Sequence, residues 1–299
     1  MIILLMYVII TLMKTPGINL LSYNVYQALT DVKRSDQILR FVEDSKFDAG
    51  ALLSGYWTRA SAEKPLRDEE NPNLARFISH LGSMGYNVFS HDEGDTTSRP
   101  DKTGFVGFIK EDVGTGGLLQ TDGGRQGYSM DLTEPETGKS IKAAAIHASD
   151  INAKLRMADI DGLPDDIDLL EGDLNVMDRR SAVARGLRLL APGALLIPEA
   201  RGDWDHNQQT GLGKILQTAV LGKRLVGMAR GETMDRLDDK GFVDADPSHR
   251  PTVQKAGIGV AQLDHMMYKP YRVSVSDFRI HTDVQVSDHW PISATIRAI

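Results

Sequence analysis

Leu169-Leu170-Glu171-Gly172-Asp173-Leu174-Asn175-Val176-Met177-Asp178 is the stretch on which the reading of this chain turns. Asp168, Leu169 and Leu170 end a short apolar run that suits a buried strand, and Glu171-Gly172 then break the pattern. Asp173 and Asn175 sit where that strand runs out. Residues two apart on an extended strand point to one side, so the spacing predicts a carboxylate and an amide facing one pocket at a sheet rim. The plainer reading is an Asx turn capping a helix that starts near Arg179. Gly-Asp-x-Asn is short enough for either.

Working outward, the other candidate strands end in the same way. Ile18–Tyr26 reads as a strand that closes on Asn24, and Ile141–His147 as one that closes on His147. Near the C-terminus, Asp288 and His289 precede a strand at Trp290–Ile296. Asp264 stands inside the apolar run Val260–Met267, where an unpaired carboxylate costs several kcal/mol, on the order of the transfer cost of a buried charge. His289 is the expected partner for it. Each of these residues alone reads as an ordinary satisfied polar group; together, all at strand ends, they predict a site.

Between these strands the chain alternates. Helical spacing covers Asp31–Ser45 and Leu74–Met84, with a strand at Ala49–Leu53 and a polar loop over 58–73. Strands are expected at Tyr86–Ser90, Gly104–Ile109 and Gly127–Leu132, with Gly114–Gly127 read as a glycine-rich linker and Glu134–Gly138 as a turn. A helix at Ile151–Met157 leads into the central stretch. Residues 179–240 read as an insertion with helical patterns at Ala182–Leu190, Gly213–Leu221 and Met234–Lys240, followed by strands at Ala261–Tyr268 and Val273–Ile280. Gly114-Thr115-Gly116-Gly117 is not a phosphate loop, because no Gly-Lys-Ser/Thr follows. The order of elements predicts an α/β fold, two packed sheets flanked by helices.

Composition bounds the function. The 299 residues are 41% hydrophobic and 25% charged, ordinary for one globular domain over 14–299. A formal net charge of −7 excludes a global basic field for nucleic acid, so phosphates would need a metal ion or a local basic patch. The arginines and lysines of the insertion, Arg179 to Arg230, are one such patch, or else the solvated faces of helices paired with Glu199, Asp203 and Asp205. With no cysteine there are no disulfides or thiolate metal sites. Residues 1–13 are apolar, too short for a comfortable membrane span and without a leading basic residue. They read as an upstream start ahead of a cytoplasmic protein beginning at Met13, or as a weak anchor that would place the protein at a membrane or outside the cell.

In order along the chain, Leu20-Leu21-Ser22-Tyr23-Asn24-Val25, Ala144-Ala145-Ile146-His147, Gly172-Asp173-Leu174-Asn175, Gly241-Phe242-Val243-Asp244-Ala245, Gln262-Leu263-Asp264-His265 and Ser287-Asp288-His289-Trp290-Pro291 form six short motifs. They resemble the endonuclease/exonuclease/phosphatase superfamily, over about residues 18–297. The resemblance implies a four-layer α/β sandwich and a metal-dependent phosphoester hydrolase, a nuclease-type phosphodiesterase first of all. A phosphatase or phospholipid phosphodiesterase, or a catalytically impaired phosphate-binding relative, are its alternatives. Carried over, Asn24 and Asp288 would hold Mg²⁺ or Mn²⁺, Asp173 would be the base for the attacking water, and Asn175 would fix it and contact phosphate. His289, tuned by Asp264, and His147 from the other side would meet the phosphoryl oxygens. The expected partner is a phosphoester, nucleic acid foremost, with the protein a monomer. One departure stands out: the family's second strand ends in Gln-Glu, whose glutamate is the main metal ligand. Here that strand runs into Ser54-Gly55-Tyr56-Trp57, with Asp48 and Glu63 the nearest acids. The protein is therefore expected to recruit another acid, to need high metal concentrations, or to be impaired.

Overall fold

The computed structural model describes residues 17–26, 28–59, 72–92, 101–121, 126–149, 153–177, 231–255 and 258–299. The apolar segment 1–13, Glu63, the helical patterns Ala182–Leu190 and Gly213–Leu221 and the basic residues 179–230 lie outside them.

Two six-stranded mixed sheets face each other, with helices on both outer sides. The first sheet has the order β13-β14-β1-β2-β4-β3, where β1 is Ile18–Asn24, β2 Ala49–Arg59, β3 Tyr86–Asp92, β4 Asp101–Lys110, β13 Val273–Ile280 and β14 Ile292–Ala298. The second has the order β5-β6-β7-β8-β12-β9, where β5 is Gly114–Gln120, β6 Gln126–Thr133, β7 Ser140–His147, β8 Leu169–Asp173, β9 Val243–Asp244 and β12 Asp264–Tyr268. A separate hairpin joins β10 (Val253–Lys255) to β11 (Ile258–Ala261). β1 and β2 are parallel, as are β7 and β8.

Alternation along each strand sorts its side chains into layers. Ile18 and Leu20 of β1, Ala51 and Leu53 of β2 and Ala143, Ala145 and Leu169 of the second sheet meet between the sheets. The opposite faces carry Leu21, Tyr23 and Leu52 under helices α1 (Val32–Ser45) and α2 (Pro72–Ser83). On the far side, Ala144, Ile146, Leu170 and Met267 lie under α3 (Ala153–Asp161) and α4 (Glu232–Asp239). Strands buried on both faces read as near-continuous apolar runs, which is why β1, β7 and β8 were legible. α1 starts on Asp31, whose side chain accepts from Arg34 N, and stops at Lys46 in a left-handed conformation.

Three expectations shift. Gly114–Gln120 is strand β5 rather than linker, paired with β6 from Gly114↔Leu132 to Gln120↔Gln126. Its glycines make room: a Cβ on Gly116, or on Gly107 of β4, would collide with the Tyr128 ring lodged between the sheets. β2 continues past Leu53 to Arg59 after a register shift between Leu52 and Tyr56. The strand read over Ala261–Tyr268 is two, β11 and β12, separated at Gln262-Leu263.

Candidate active site

β1, β7 and β8 all run toward one rim and end there, on Asn24, His147 and Asp173. β12 is antiparallel to β8 and begins at the same rim with Asp264. His147, Asp173 and Asp264 are cross-strand partners, so register alone sets them side by side in one row. His289 comes in from the first sheet, on the turn before β14. A bridge between Val253 and His289, with Trp290 N donating to Thr252 O at 2.7 Å, fixes that turn. The hydroxyl of fully buried Thr252 accepts from Leu263 N and Asp264 N at 3.1 and 3.0 Å, so one strap holds both Asp264 and His289.

The side chains converge on Asp173. Asn24 Nδ2 donates to Asp173 Oδ2 at 2.9 Å, and the same oxygen lies 3.6 Å from His147 Nε2 and 3.8 Å from His289 Nε2. His289 Nδ1 is 2.8 Å from Asp264 Oδ2, the pairing expected from sequence. On the other imidazole, Ser54 Oγ lies 2.9 Å from His147 Nδ1. Burial disfavours the His289 cation, but the charge and hydrogen bond of Asp264, with Asp173 and Asp288 behind, push it up to about 10. Burial likewise raises Asp173's carboxyl above the ordinary range, with His289 and His147 pulling against it and Asp264 adding to it. A carboxylate so placed is a stronger base than one in water.

Asn175 reaches the site by a different route from the one its spacing suggested. It lies beyond the strand in a left-handed conformation (φ 49°), its N–H donating to Asp173 Oδ1 at 3.0 Å and its Nδ2 to Ala148 O at 2.9 Å. The Asx turn and the site are thus the same piece of chain. Gly172 before it has φ 130°, and a Cβ there would overlap Ile146 O. Asp288 is the outlier: it is exposed, accepts from Ser287 Oγ at 3.2 Å, and stands at the edge of the group.

Sequence reading missed three parts of this arrangement. Ser54 was read only as the residue that follows the strand Ala49–Leu53, where a carboxylate was expected. His265, inside a quoted motif, is fully buried with Nδ1 2.8 Å from Asp244 Oδ2 and Nε2 2.8 Å from Val176 O. With an acceptor at each nitrogen the ring is held as a cation; burial opposes this and Asp244 outweighs it. That cation ties down the loop carrying Asn175. Glu171, read as a break in the strand, is inside β8 and wholly buried, and neither carboxyl oxygen has a hydrogen-bond partner. Burial alone lifts its carboxyl well above the usual range.

No family pattern matches the sequence, and no curated protein is similar to it. Solved structures are. The chain is similar to an endonuclease/exonuclease/phosphatase from Beutenbergia cavernae, with 14% identity, 95% of this chain and 72% of that one covered, and a TM-score of 0.59. The chain has the endonuclease/exonuclease/phosphatase fold. On the same fold it is similar to a mannosyl-6-phosphatase from Bacteroides thetaiotaomicron (13% identity, 94% and 100% covered, TM-score 0.53). It is also similar to TDP2 from D. rerio, complexed with a single-strand DNA product (12% identity, 94% and 99% covered, TM-score 0.51).

Proposed function

We propose that the chain is a metal-dependent phosphoester hydrolase, and within that class a nuclease-type phosphodiesterase. The observation that carries the reading is Asp173, a buried carboxylate set between the imidazoles of His147 and His289, with Asp264 behind His289. Asp173 takes the proton of the attacking water, while Asn24 and Asn175 N hold its two oxygens in place. His289 as a cation meets the charge developing on the phosphoryl oxygens, and His147, steadied by Ser54, does so from the other side. Asn175 contributes its amide to the phosphate.

The donor chemistry fits a hard divalent ion. Ligand atoms of Asp173, Asp264 and His289 lie within 4.8 Å of one another, and Asp264 Oδ1 is buried with no partner. Asn24 with these carboxylates, and Asp288 from the edge, would hold Mg²⁺ or Mn²⁺. Such an ion supplies positive charge to the non-bridging and leaving oxygens. The phosphatase and DNA-product neighbours support the general class, while choice of a nucleic-acid phosphodiester rests on the first of the sequence readings. One observation favours a second reading, a phosphate-binding relative without turnover: Ser54 stands at the register shift within β2, where a metal-binding carboxylate was expected.

Hydrolysis of bis-p-nitrophenyl phosphate and of single- and double-stranded DNA, across a Mg²⁺ and Mn²⁺ titration, separates the two. Turnover lost in Asp173→Asn and His289→Ala establishes the hydrolase. No turnover at millimolar metal, or turnover that both variants retain, hands the site to the binding reading.

A further inference from the structure

Beneath the row His147–Asp173–Asp264 lies a second row with one member, Glu171, that neither the reaction nor the core accounts for. Two residues deeper along the second sheet, register aligns Tyr128, Ala145, Glu171 and Met266. Ala145 and Met266 belong to the core between the sheets, so Glu171 faces inward with them. Across the sandwich, Asn24 meets Asp173 by a hydrogen bond, and both β1 and β8 run toward the rim. Stepping two residues back on β1 reaches Ser22, which is buried on the same inward side as Leu20.

This layer holds oxygens without partners. Both oxygens of Glu171 and Ser22 Oγ make no hydrogen bond, and Asp264 Oδ1, the oxygen that His289 leaves, makes none above them. Glu171 is 0% exposed, and Ser22 and Asp264 are 1% exposed. Native interiors rarely leave such groups bare, and a buried carboxyl with nothing to bond is the costliest of them. The set is oxygen only and includes a carboxylate, which is what hard divalent cations take. Meanwhile the register shift within β2 offers Ser54, a hydroxyl bonded to His147, where a carboxylate was expected.

We propose that Glu171 supplies, from β8, the metal-binding carboxylate that β2 lacks, with Ser22 and Asp264 Oδ1 as its oxygen neighbours. The proposal rests on the metal-dependent reading above. It makes Glu171 a direct ligand of the ion rather than an inert buried acid of the strand.

Direct Mn²⁺ binding, by electron paramagnetic resonance and by the metal-induced rise in Tm, tests it apart from turnover. In wild type, Mn²⁺ binds and raises Tm. In Glu171→Gln the expected result is at least about tenfold weaker Mn²⁺ binding and loss of the metal-induced rise, while the metal-free Tm is unchanged or higher. A structural role would lower the metal-free Tm and leave the metal effect in place. Ser22→Ala repeats the test with the carboxylate intact and is expected to weaken Mn²⁺ binding in the same direction by a smaller factor. Wild type that binds Mn²⁺ with both variants equal to it overturns the Glu171 assignment and leaves the hydrolase reading standing. Wild type that neither binds Mn²⁺ nor hydrolyses any phosphoester overturns both.

Discussion

Asn24 Nδ2 and Asp173 Oδ2, 149 residues apart in sequence, are joined across the two sheets by a buried hydrogen bond of 2.9 Å. The bond closes the sandwich at its rim and sets the orientation of the central carboxylate. Asn24→Ala leaves that oxygen short of a donor in a buried site. The expected loss of stability is about 1–3 kcal/mol, the cost of a buried charged acceptor losing its partner, read as a lower urea midpoint with an unchanged slope.

Asp173→Asn keeps the shape of the site and removes its base. We expect kcat to fall by about 10²–10⁴-fold, the usual worth of a positioned proton acceptor, with circular dichroism unchanged. A variant within a few-fold of wild type would show that another group takes the proton.

The His289–Asp264 pair sets a pH dependence of stability. The ring rises from 6.5 in the unfolded chain to about 10 in the folded one. Its contribution is therefore complete below pH 6.5 and disappears as pH climbs through 10. In metal-free protein, Asp264→Asn is expected to lose about 3 kcal/mol near pH 6, as for a broken buried pair. The gap between wild type and variant should then narrow steadily from pH 6.5 to 10. Denaturant unfolding at a series of pH values checks this, and a gap that widens with pH would reject it.

Asp244 acts on the site through His265, whose second nitrogen holds Val176 O. Asp244→Asn is expected to destabilise the fold by about 3 kcal/mol, by leaving a buried imidazole without its counter-ion. It should also speed amide exchange in the loop Leu174–Met177 more than in β8 itself. Uniform loosening across the second sheet would contradict the tie to the loop.

Gly116→Ala tests the wedge of Tyr128. The added methyl meets the Tyr128 hydroxyl and ring edge, and the expected cost is about 1–3 kcal/mol of overpacking. Pairing it with Tyr128→Ala should recover part of that loss in a double-mutant cycle.

What the chain disclosed in advance follows from how each signal arises. Asn24, His147, Asp173, Asp264 and His289 were legible because each interrupts or ends an apolar run, a contrast visible without a fold. Their convergence was not in the sequence; it comes from the register His147↔Asp173↔Asp264, which depends on strands far apart in the chain. Asn175 lies beside Asp173, but a left-handed turn and not the strand alternation read from its spacing brings it there. β5 was hidden because glycines usually signal a loop, and only close neighbours far along the chain, the Tyr128 ring at Gly116 and the Asp131 carbonyl at Gly114, give them a place in a strand. Glu171 was hidden by its charge: polarity argues for a rim, and only the inter-sheet contacts of its neighbours Ala145 and Met266 put it inside. His265 and Ser54 carry no local signal, for their partners Asp244, Val176 and His147 lie 21 to 93 residues away.

Gly172 gives the fold one further property. Its backbone occupies a region closed to ordinary side chains, and the carbonyl of Ile146 fills the space a side chain would need. The aim of Asp173 is therefore governed by a neighbour that contributes no functional group at all. In a saturation library, this position should tolerate fewer substitutions than several of the acids and imidazoles around it. Drift in a lineage that had abandoned turnover would be expected to erase the acids first and the glycine last, so the order of loss records whether chemistry or architecture was being kept.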